Sequence, residues 1–354
     1  MLHATDIRQI ALFRVRTPLR EPYQLSYGPV TELDSVFCRI ELSSGAIGWG
    51  ESTPLPGYSD CDADAAWRVC CEQRAAALGK PASAAQFIPP GGDHFLTTAM
   101  ETALEEALMP FDAQGATVPL VGLVQGNSDE AAVATLRRQR AEGYREFKGK
   151  IGVYPVAVET ARIRAIQAAM QSGEWIRFDA NQALDLATAQ RLAAVCDPER
   201  VRFIEQPLPA QCWTETGELA KASPVPIALD EAIAMPADIE RTAAMRGVGY
   251  VKLKWMKQGR AAGLMSALET ARAGGLKVIL GNGVSTACNN RQEAIFWSRH
   301  LNADGLAGEM NGYLKAARPS RGLTFVDGCA VVTPAASGEL PFDAADLTES
   351  VGCD

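Results

Sequence analysis

The sequence lacks several features that would place the protein in a specialised class. Its 354 residues have a net charge of −8, and no basic run exceeds Arg137–Arg140, which argues against a nucleic-acid-binding face. No apolar run approaches the ~18 residues that a membrane-spanning helix needs. The first twenty residues also lack the long apolar stretch of a secretory signal. We therefore expect a cytoplasmic protein that binds neither nucleic acid nor membranes.

Cysteine is present without a recognisable framework. The nine cysteines are odd in number and irregularly spaced, and no C-x-x-C pair occurs, which argues against disulfides and zinc knuckles. Hydrophobic residues make up 47% and charged residues 21%, as in ordinary globular proteins. At this length the chain can bury one large core or two smaller ones.

Residues 1–115 differ in pattern from the rest of the chain. Apolar and polar residues alternate over Ile7–Pro18 and Ser35–Leu42, which indicates antiparallel strands. Asp62–Leu78 and Thr97–Asp112 are rich in Ala, Glu and Leu, which favour helices. We therefore predict an α+β domain over residues 1–115.

From residue 116 onward, short β-rich runs alternate with helix-length segments. The predicted strands are Val118–Val124, Glu146–Ile151, Trp175–Asp179, Val201–Glu205, Pro226–Asp230, Tyr250–Lys254, Lys277–Leu280 and Gly305–Gly308. Eight alternating βα units predict a parallel (β/α) barrel over residues 116–320. In the tail, residues 321–354, we predict strands Leu323–Val326 and Cys329–Val332 and a return to the first domain.

Charged residues lie at the carboxyl ends of consecutive predicted strands, about one βα unit apart. They are Lys148 with Lys150, Asp179, Glu205, Asp230, and Lys252 with Lys254. Taken singly, Glu205 or Asp230 would equally fit a salt bridge or a helix cap, and Lys252 or Lys254 would better fit a solvated strand end. The ordered set indicates a single site, because the carboxyl ends of barrel strands surround one mouth, where active sites lie.

Three carboxylates on adjacent strands would repel one another, and a divalent cation relieves that repulsion. Oxygen ligands without nearby histidine or cysteine favour Mg²⁺, with Mn²⁺ as the alternative. The lysines on the second and sixth strands would face each other across this ion. A desolvated lysine can remove a proton α to a carboxylate, and the cation stabilises the charge that develops. We therefore predict a small-molecule carboxylate substrate.

These motifs resemble the enolase superfamily, and within it the muconate-lactonizing-enzyme subgroup. The matching segments are Trp49–Pro54, Phe147–Gly152, Phe178–Gln182, Ile204–Pro207, Leu229–Glu231 and Val251–Lys254. Enzymes of the enolase superfamily use a Lys or His base together with one or two Mg²⁺ ions. The resemblance implies a (β/α)7β-type modified TIM barrel, with an α+β N-terminal capping domain that the C-terminal tail completes. It also implies that the protein can form homo-oligomers.

The resemblance assigns roles to individual residues. Asp179, Glu205 and Asp230 would bind the metal. Lys150 and Lys254 would be the opposed acid and base, and Lys148 would assist Lys150 and bind the substrate carboxylate. The residues implied to support these are Asn181, Glu231 and Lys252. The residues implied to bind substrate are Tyr23, Tyr27, Tyr58, Asn282, Glu309 and Asn311.

Several reactions use this set of side chains. Two opposed lysines suit racemisation or epimerisation of an amino-acid derivative or dipeptide through an enediolate. The alternatives are syn-elimination of water, as in o-succinylbenzoate synthase, and cycloisomerisation. The region after the seventh strand has no histidine, unlike the mandelate-racemase subgroup, and Glu309-Met310-Asn311 replaces the Asp-x-Asp of dipeptide epimerases. A Schiff-base barrel aldolase using Lys150 or Lys254 is the alternative from another class.

The segment after the seventh strand carries two smaller predictions. Gly281-Asn282-Gly283 fits a tight βα turn and a backbone contact with substrate equally well. Residues 283–287 faintly resemble a nucleophile elbow but lack its second glycine. We therefore predict that Ser285 is a helix N-cap.

Overall fold

The computed structural model describes residues 6–25, 28–55, 59–84, 86–87, 89–109, 115–282, 284–318, 321–334 and 339–353. The strands are β1 Ile7–Leu25, β2 Gly28–Leu42, β3 Ile47–Ser52, β4 Thr117–Pro119, β5 Val121–Val124, β6 Glu146–Lys150, β7 Trp175–Asp179, β8 Val201–Glu205, β9 Ile227–Leu229, β10 Val248–Leu253, β11 Lys277–Leu280, β12 Leu323–Val326, β13 Cys329–Val332 and β14 Leu347–Val351. The helices are α1 Ala63–Ala77, α2 Thr98–Leu108, α3 Asp129–Ala141, α4 Val156–Ala169, α5 Leu186–Ala193, α6 Trp213–Ala222, α7 Pro236–Ala243, α8 Trp255–Gln258, α9 Ala261–Ala273 and α10 Ala287–His300. No helix within the described ranges is long and apolar enough to cross a membrane.

The N-terminal sheet is antiparallel, with the strand order β14-β1-β2-β3. The alternating residues Val36, Cys38 and Ile40 of β2 are fully buried in a core that α1 and α2 complete. Helix α2 lies directly on β3, because a Cβ at Gly50 would be 2.0 Å from the carbonyl oxygen of Ala99. Only glycine permits this close approach, so α2 is held firmly against the sheet.

The second sheet is parallel and curled, with the strand order β11-β10-β9-β8-β7-β6-β5. Its apolar residues and those of the surrounding helices form the largest core of the molecule. Because the strands are parallel, all of their carboxyl ends lie at one edge, beside the antiparallel sheet. The architecture is a capped, modified TIM barrel, as the resemblance implies.

Most predicted barrel strands lie where the sequence places them, but the first and the last differ. Val118–Val124 is divided at Leu120, because Pro119 has no N–H to continue a ladder; β4 pairs with β13 and only β5 joins the barrel. Gly305–Gly308 forms no strand in the structure, since Gly305 adopts a φ of 65°. Gly308 still pairs with the start of the barrel, donating its N–H to the Pro119 carbonyl at 2.8 Å and accepting the N–H of Val121 at 3.0 Å.

The C-terminal tail divides between the two sheets. Strands β12 and β13 form as predicted, but β13 pairs with β4 and not with the N-terminal sheet. β14 makes the predicted return by pairing antiparallel with β1, and Phe342 of the tail packs against Phe13 and Phe37 of the N-terminal sheet. The domain boundaries after residues 115 and 320 stay predictions.

Candidate active site

Three carboxylates lie side by side at the carboxyl edge of the parallel sheet. Asp179 and Glu205 are the last residues of β7 and β8 and pair in register, and Asp230 directly follows β9. Their exposed fractions are 3%, 0% and 3%, respectively. The consecutive parallel strands thus bring together side chains about 25 residues apart in sequence, since strand ends meet at one edge.

Two ammonium groups lie among these carboxylates. Lys148 Nζ is 2.8 Å from Asp179 Oδ2 and 3.1 Å from Glu205 Oε1. Lys252 Nζ contacts Glu205 Oε1 and lies 3.8 Å from Asp230 Oδ2. Burial opposes the charge on Lys148, but the surrounding carboxylates outweigh it and raise the pKa of Lys148 well above its usual value. Lys148 is therefore held as an ammonium ion.

The other two lysines lie on opposite flanks of the carboxylates. Lys150 ends β6 and is exposed. Lys254 follows β10, is 5% exposed, and places its Nζ 2.7 Å from Asp230 Oδ2. Strands β7, β8 and β9 separate the two, and each supplies one carboxylate. The strand order therefore arranges a lysine, three carboxylates and a second lysine along the edge.

The donor set fits a hard divalent cation. No three carboxylate, imidazole or thiol groups in the described ranges stand as a preformed metal cage, and Lys148 and Lys252 lie between the carboxylates. Asp230 Oδ1 is nevertheless buried without a hydrogen-bond partner, with Lys257 Nζ 3.6 Å away. Burial and the charge of Asp179 raise the pKa of Glu205 to about 7, against the opposing effect of the lysines. A bound cation would satisfy the free oxygen and relieve this crowding.

Glu309, predicted to bind substrate, is instead paired with three cations of the protein. Its carboxylate lies 2.9 Å from Lys252 Nζ, 3.4 Å from Lys148 Nζ and 3.2 Å from Arg177 Nη1. The sequence analysis missed Arg177, which is fully buried two residues before Asp179 and also pairs with Glu146 at 2.7 Å. A charged residue inside a buried strand, on the same face as Asp179, was the available signal.

Gly281 has a role that neither of its predicted interpretations included. A Cβ at this position would lie 2.6 Å from Cδ of Lys252. Glycine therefore makes room for the Lys252 side chain, which reaches Glu205 and Glu309. Lys252, predicted as a supporting residue, touches a predicted metal ligand directly.

The remaining predicted residues lie around this centre. Asn181 donates its N–H to Asp179 Oδ1 at 2.9 Å and its amide to Glu231 Oε1 at 3.3 Å. Asn282 Oδ1 accepts from the Ser285 hydroxyl at 3.1 Å. Tyr23 and Asn311 both contact Lys315, through the ring and the side-chain oxygen. Two further predictions lie outside the described residues, namely Tyr27 and Tyr58.

The predicted helix cap at Ser285 is wrong, because the acceptor comes from the N-terminal sheet. Glu51, fully buried at the end of β3, accepts the N–H groups of Thr286 at 2.6 Å and Asn289 at 3.1 Å. These are the N-cap and N3 positions of α10. Glu105 of α2 likewise accepts the N–H of Ala261, at 2.7 Å, at the start of α9. Carboxylates of the cap thus hold the helices that follow β10 and β11.

We expect Glu51→Ala to lower the free energy of unfolding by about 2–4 kcal/mol, because it leaves buried N–H groups of α10 unsatisfied and opens a cavity. Urea denaturation followed by circular dichroism measures this. Glu51→Gln keeps the shape and one acceptor oxygen and should recover part of the loss. Exposed Glu240 on α7 supplies the control Glu240→Ala. If Glu51→Ala lowers the free energy of unfolding no more than Glu240→Ala does, the capping role is contradicted.

Fold and site together define a capped α/β-barrel enzyme, and comparisons with known proteins identify its family. Residues 131–338, more than half of the chain, match the family Enolase C-terminal domain-like. The chain belongs to the enolase superfamily, and its structural neighbours are members of the mandelate racemase/muconate lactonizing enzyme group.

Two relatives and one solved structure illustrate the family. The chain is 30% identical over 240 residues to an o-succinylbenzoate synthase from Thermosynechococcus vestitus, covering 67% of this chain and 72% of that protein. It is 27% identical over 302 residues to the L-Ala-D/L-Glu epimerase of Bacillus subtilis, covering 79% and 81%. An enolase-superfamily member from Roseovarius nubinhibens, complexed with magnesium, matches with a TM-score of 0.84 and 22% identity, covering 98% of this chain and 100% of that chain.

Proposed function

We propose that the protein is a Mg²⁺-dependent racemase or epimerase that acts on the carbon α to the carboxylate of an amino-acid derivative or dipeptide. One observation carries the proposal: Lys150 and Lys254 flank the three carboxylates from opposite sides. A base on each side of one carbon is what inversion at that carbon requires.

In this proposal the two lysines exchange roles according to the substrate's configuration. The neutral amine of one lysine takes the α-proton, and the ammonium group of the other returns a proton to the opposite face. The C–H bond broken on one face is replaced by a C–H bond on the other, so the substrate keeps its composition. Lys150 is exposed at the mouth, where it can meet substrate directly.

Asp179, Glu205 and Asp230 would hold the Mg²⁺ ion, with Mn²⁺ as the alternative. When bound, the ion stabilises the negative charge that develops on the substrate carboxylate. Lys148, held as an ammonium ion, adds positive charge beside Asp179 and Glu205. Asn181 donates to Asp179 and so fixes the orientation of that carboxylate.

Syn-elimination of water is the second candidate, because one of the most similar relatives is an o-succinylbenzoate synthase. It needs the same proton abstraction with a leaving hydroxyl on the neighbouring carbon. A Schiff-base aldolase is less well supported. Such an enzyme needs a single nucleophilic lysine and leaves the three carboxylates gathered between Lys150 and Lys254 without a role.

Turnover in D₂O distinguishes these reactions. We expect candidate substrates, offered as single enantiomers with Mg²⁺, to accumulate deuterium at the α-carbon in both epimers, because each lysine exchanges its protons with solvent. Proton NMR and mass spectrometry measure the exchange. Inactivation by borohydride with a carbonyl substrate, and turnover without Mg²⁺, would instead indicate the aldolase. Loss of one water without α-deuterium in recovered substrate would replace epimerisation by elimination.

A further inference from the structure

At the position of the predicted eighth strand, the barrel mouth has no carboxylate free to bind a substrate ammonium group. Glu309 is 8% exposed and is paired with Lys148, Lys252 and Arg177. Asn311, two residues later, is uncharged and accepts a hydrogen bond from Lys315 Nζ at 3.2 Å. A free amine placed here would meet protein cations, which disfavours a charged α-amino group.

Lys315 places a positive charge beside Asn311. Its Nζ lies 4.0 Å from the centre of the Tyr23 ring and is only partly exposed. In the part of the chain that the structure describes, this ammonium group pairs with the Tyr23 ring and the Asn311 oxygen and with no carboxylate. A half-buried ammonium without an anion retains the capacity to bind one from the substrate.

The backbone around Lys315 is fixed by the cap. The N–H of Arg20 donates to the Lys315 carbonyl at 2.8 Å, and Arg20 Nε donates to the Ala316 carbonyl at 2.8 Å. Leu19 and Ala316 also form an antiparallel bridge. The backbone that carries the Lys315 ammonium group is therefore fixed where β1 meets the barrel mouth.

The electrostatic environment of Tyr23 agrees with this arrangement. The charge of Lys315 is the largest influence on the pKa of Tyr23 and, with Lys150 and Lys148, lowers it against the opposing effects of burial and of the Glu309 carboxylate. Within the described residues no carboxylate pairs with Lys315, so its ammonium group makes the surface beside Tyr23 electropositive. Such a surface attracts a second anionic group on the substrate.

We propose that the substrate is a dicarboxylate without a free α-amino group, whose second carboxylate is bound by Lys315. The reacting carboxylate would lie at the metal and the second one at the end of an N-acyl group or of the amino-acid side chain. This inference rests on the proposed function and specifies its substrate class. Lys315 is then a specificity-determining residue and takes no part in proton transfer.

Paired substrates test the proposal in the full-length protein with Mg²⁺ in D₂O. N-succinyl amino acids are compared with their N-butanoyl analogues, and N-acetylglutamate with N-acetylnorvaline; each pair differs only in the terminal carboxylate. We expect the dicarboxylate of one pair to be favoured in kcat/KM by about tenfold to a hundredfold, the usual range for a charged hydrogen bond. The pair that shows the preference identifies which end carries the second carboxylate.

Substitutions assign the preference to Lys315. Lys315→Met should bring the ratio of kcat/KM between paired substrates close to one, mainly through KM, and Lys315→Arg should retain it. Lys277→Met is the control, because Lys277 is exposed at the opposite, amino end of β11. Three results, each with α-deuterium exchange still observed, would overturn the subsite and leave the proposed function standing. They are a kcat/KM ratio near one between paired substrates in the wild type, an unchanged ratio in Lys315→Met, and faster turnover of free-amine dipeptides. Absence of α-deuterium in every substrate would overturn both.

Discussion

Asp230→Asn should abolish turnover, by roughly a thousandfold or more, together with Mg²⁺ binding. Asp230 follows β9, is 3% exposed, and has one carboxylate oxygen without a hydrogen-bond partner. The amide removes the charge that a divalent cation needs and presents an N–H₂ group to it. Isothermal titration with Mg²⁺ and steady-state rates measure the two losses on one sample.

The same substitution also removes the partner of Lys254, so folding must be measured beside activity. Breaking a buried pair typically costs about 3–5 kcal/mol, and circular dichroism and thermal unfolding report it. Asp304→Asn is the matched control. Asp304 also forms an ion pair, with Arg272 at 3.1 Å, but it lies away from the carboxyl ends of the strands. Wild-type turnover in excess chelator would exclude a required metal without using any variant.

Lys150→Ala and Lys254→Ala should each abolish epimerisation, with a loss of about 10²–10⁴-fold from removing one acid–base group. Each variant keeps one base, so it should still exchange the α-proton of one enantiomer with D₂O. The two variants should retain opposite enantiomers, because their remaining lysines lie on opposite flanks. Proton NMR on separate L- and D-substrates gives this pattern directly.

The structure predicts different stabilities for these two variants. Lys150 is exposed, so its replacement should change the free energy of unfolding by less than about 0.5 kcal/mol. Lys254 is buried against Asp230, so its loss should be strongly destabilising and is measured alongside Lys254→Met. Lys221→Ala, at an exposed position on α6, is the control. Wild-type epimerisation in either active-site variant would exclude the two-base scheme.

The sequence allowed the strand ends and their charges to be predicted because both leave a local, periodic trace. Five charged motifs follow β-rich runs, one βα unit apart, and parallel strands bring such ends to one edge. β7, β8 and β11 therefore match their predicted ranges to the residue. The prediction weakened where glycine and proline interrupt the pattern, as at Pro119 and Gly305.

The partners of each charge could not be predicted in the same way. Arg177 and Glu309 are 132 residues apart, and Glu51 and Thr286 are 235 apart, with nothing periodic between them. Glu309 therefore seemed free for a substrate, whereas in the structure three cations surround it. Lys315 carried no strand-end signal at all, because it follows a short 3-10 helix, Gly312–Leu314.

The sequence by itself determined which charged groups stand at the strand ends of the barrel mouth, since strand period and parallel topology suffice to collect them. Only the tertiary structure decided which of those charges are already neutralised inside the protein and which face a ligand. The physical reason is that a buried charge must find a partner, and that partner is selected by packing between distant segments. Lys252 beside Gly281 and Lys315 beside Tyr23 are the two places where that selection shapes the site most.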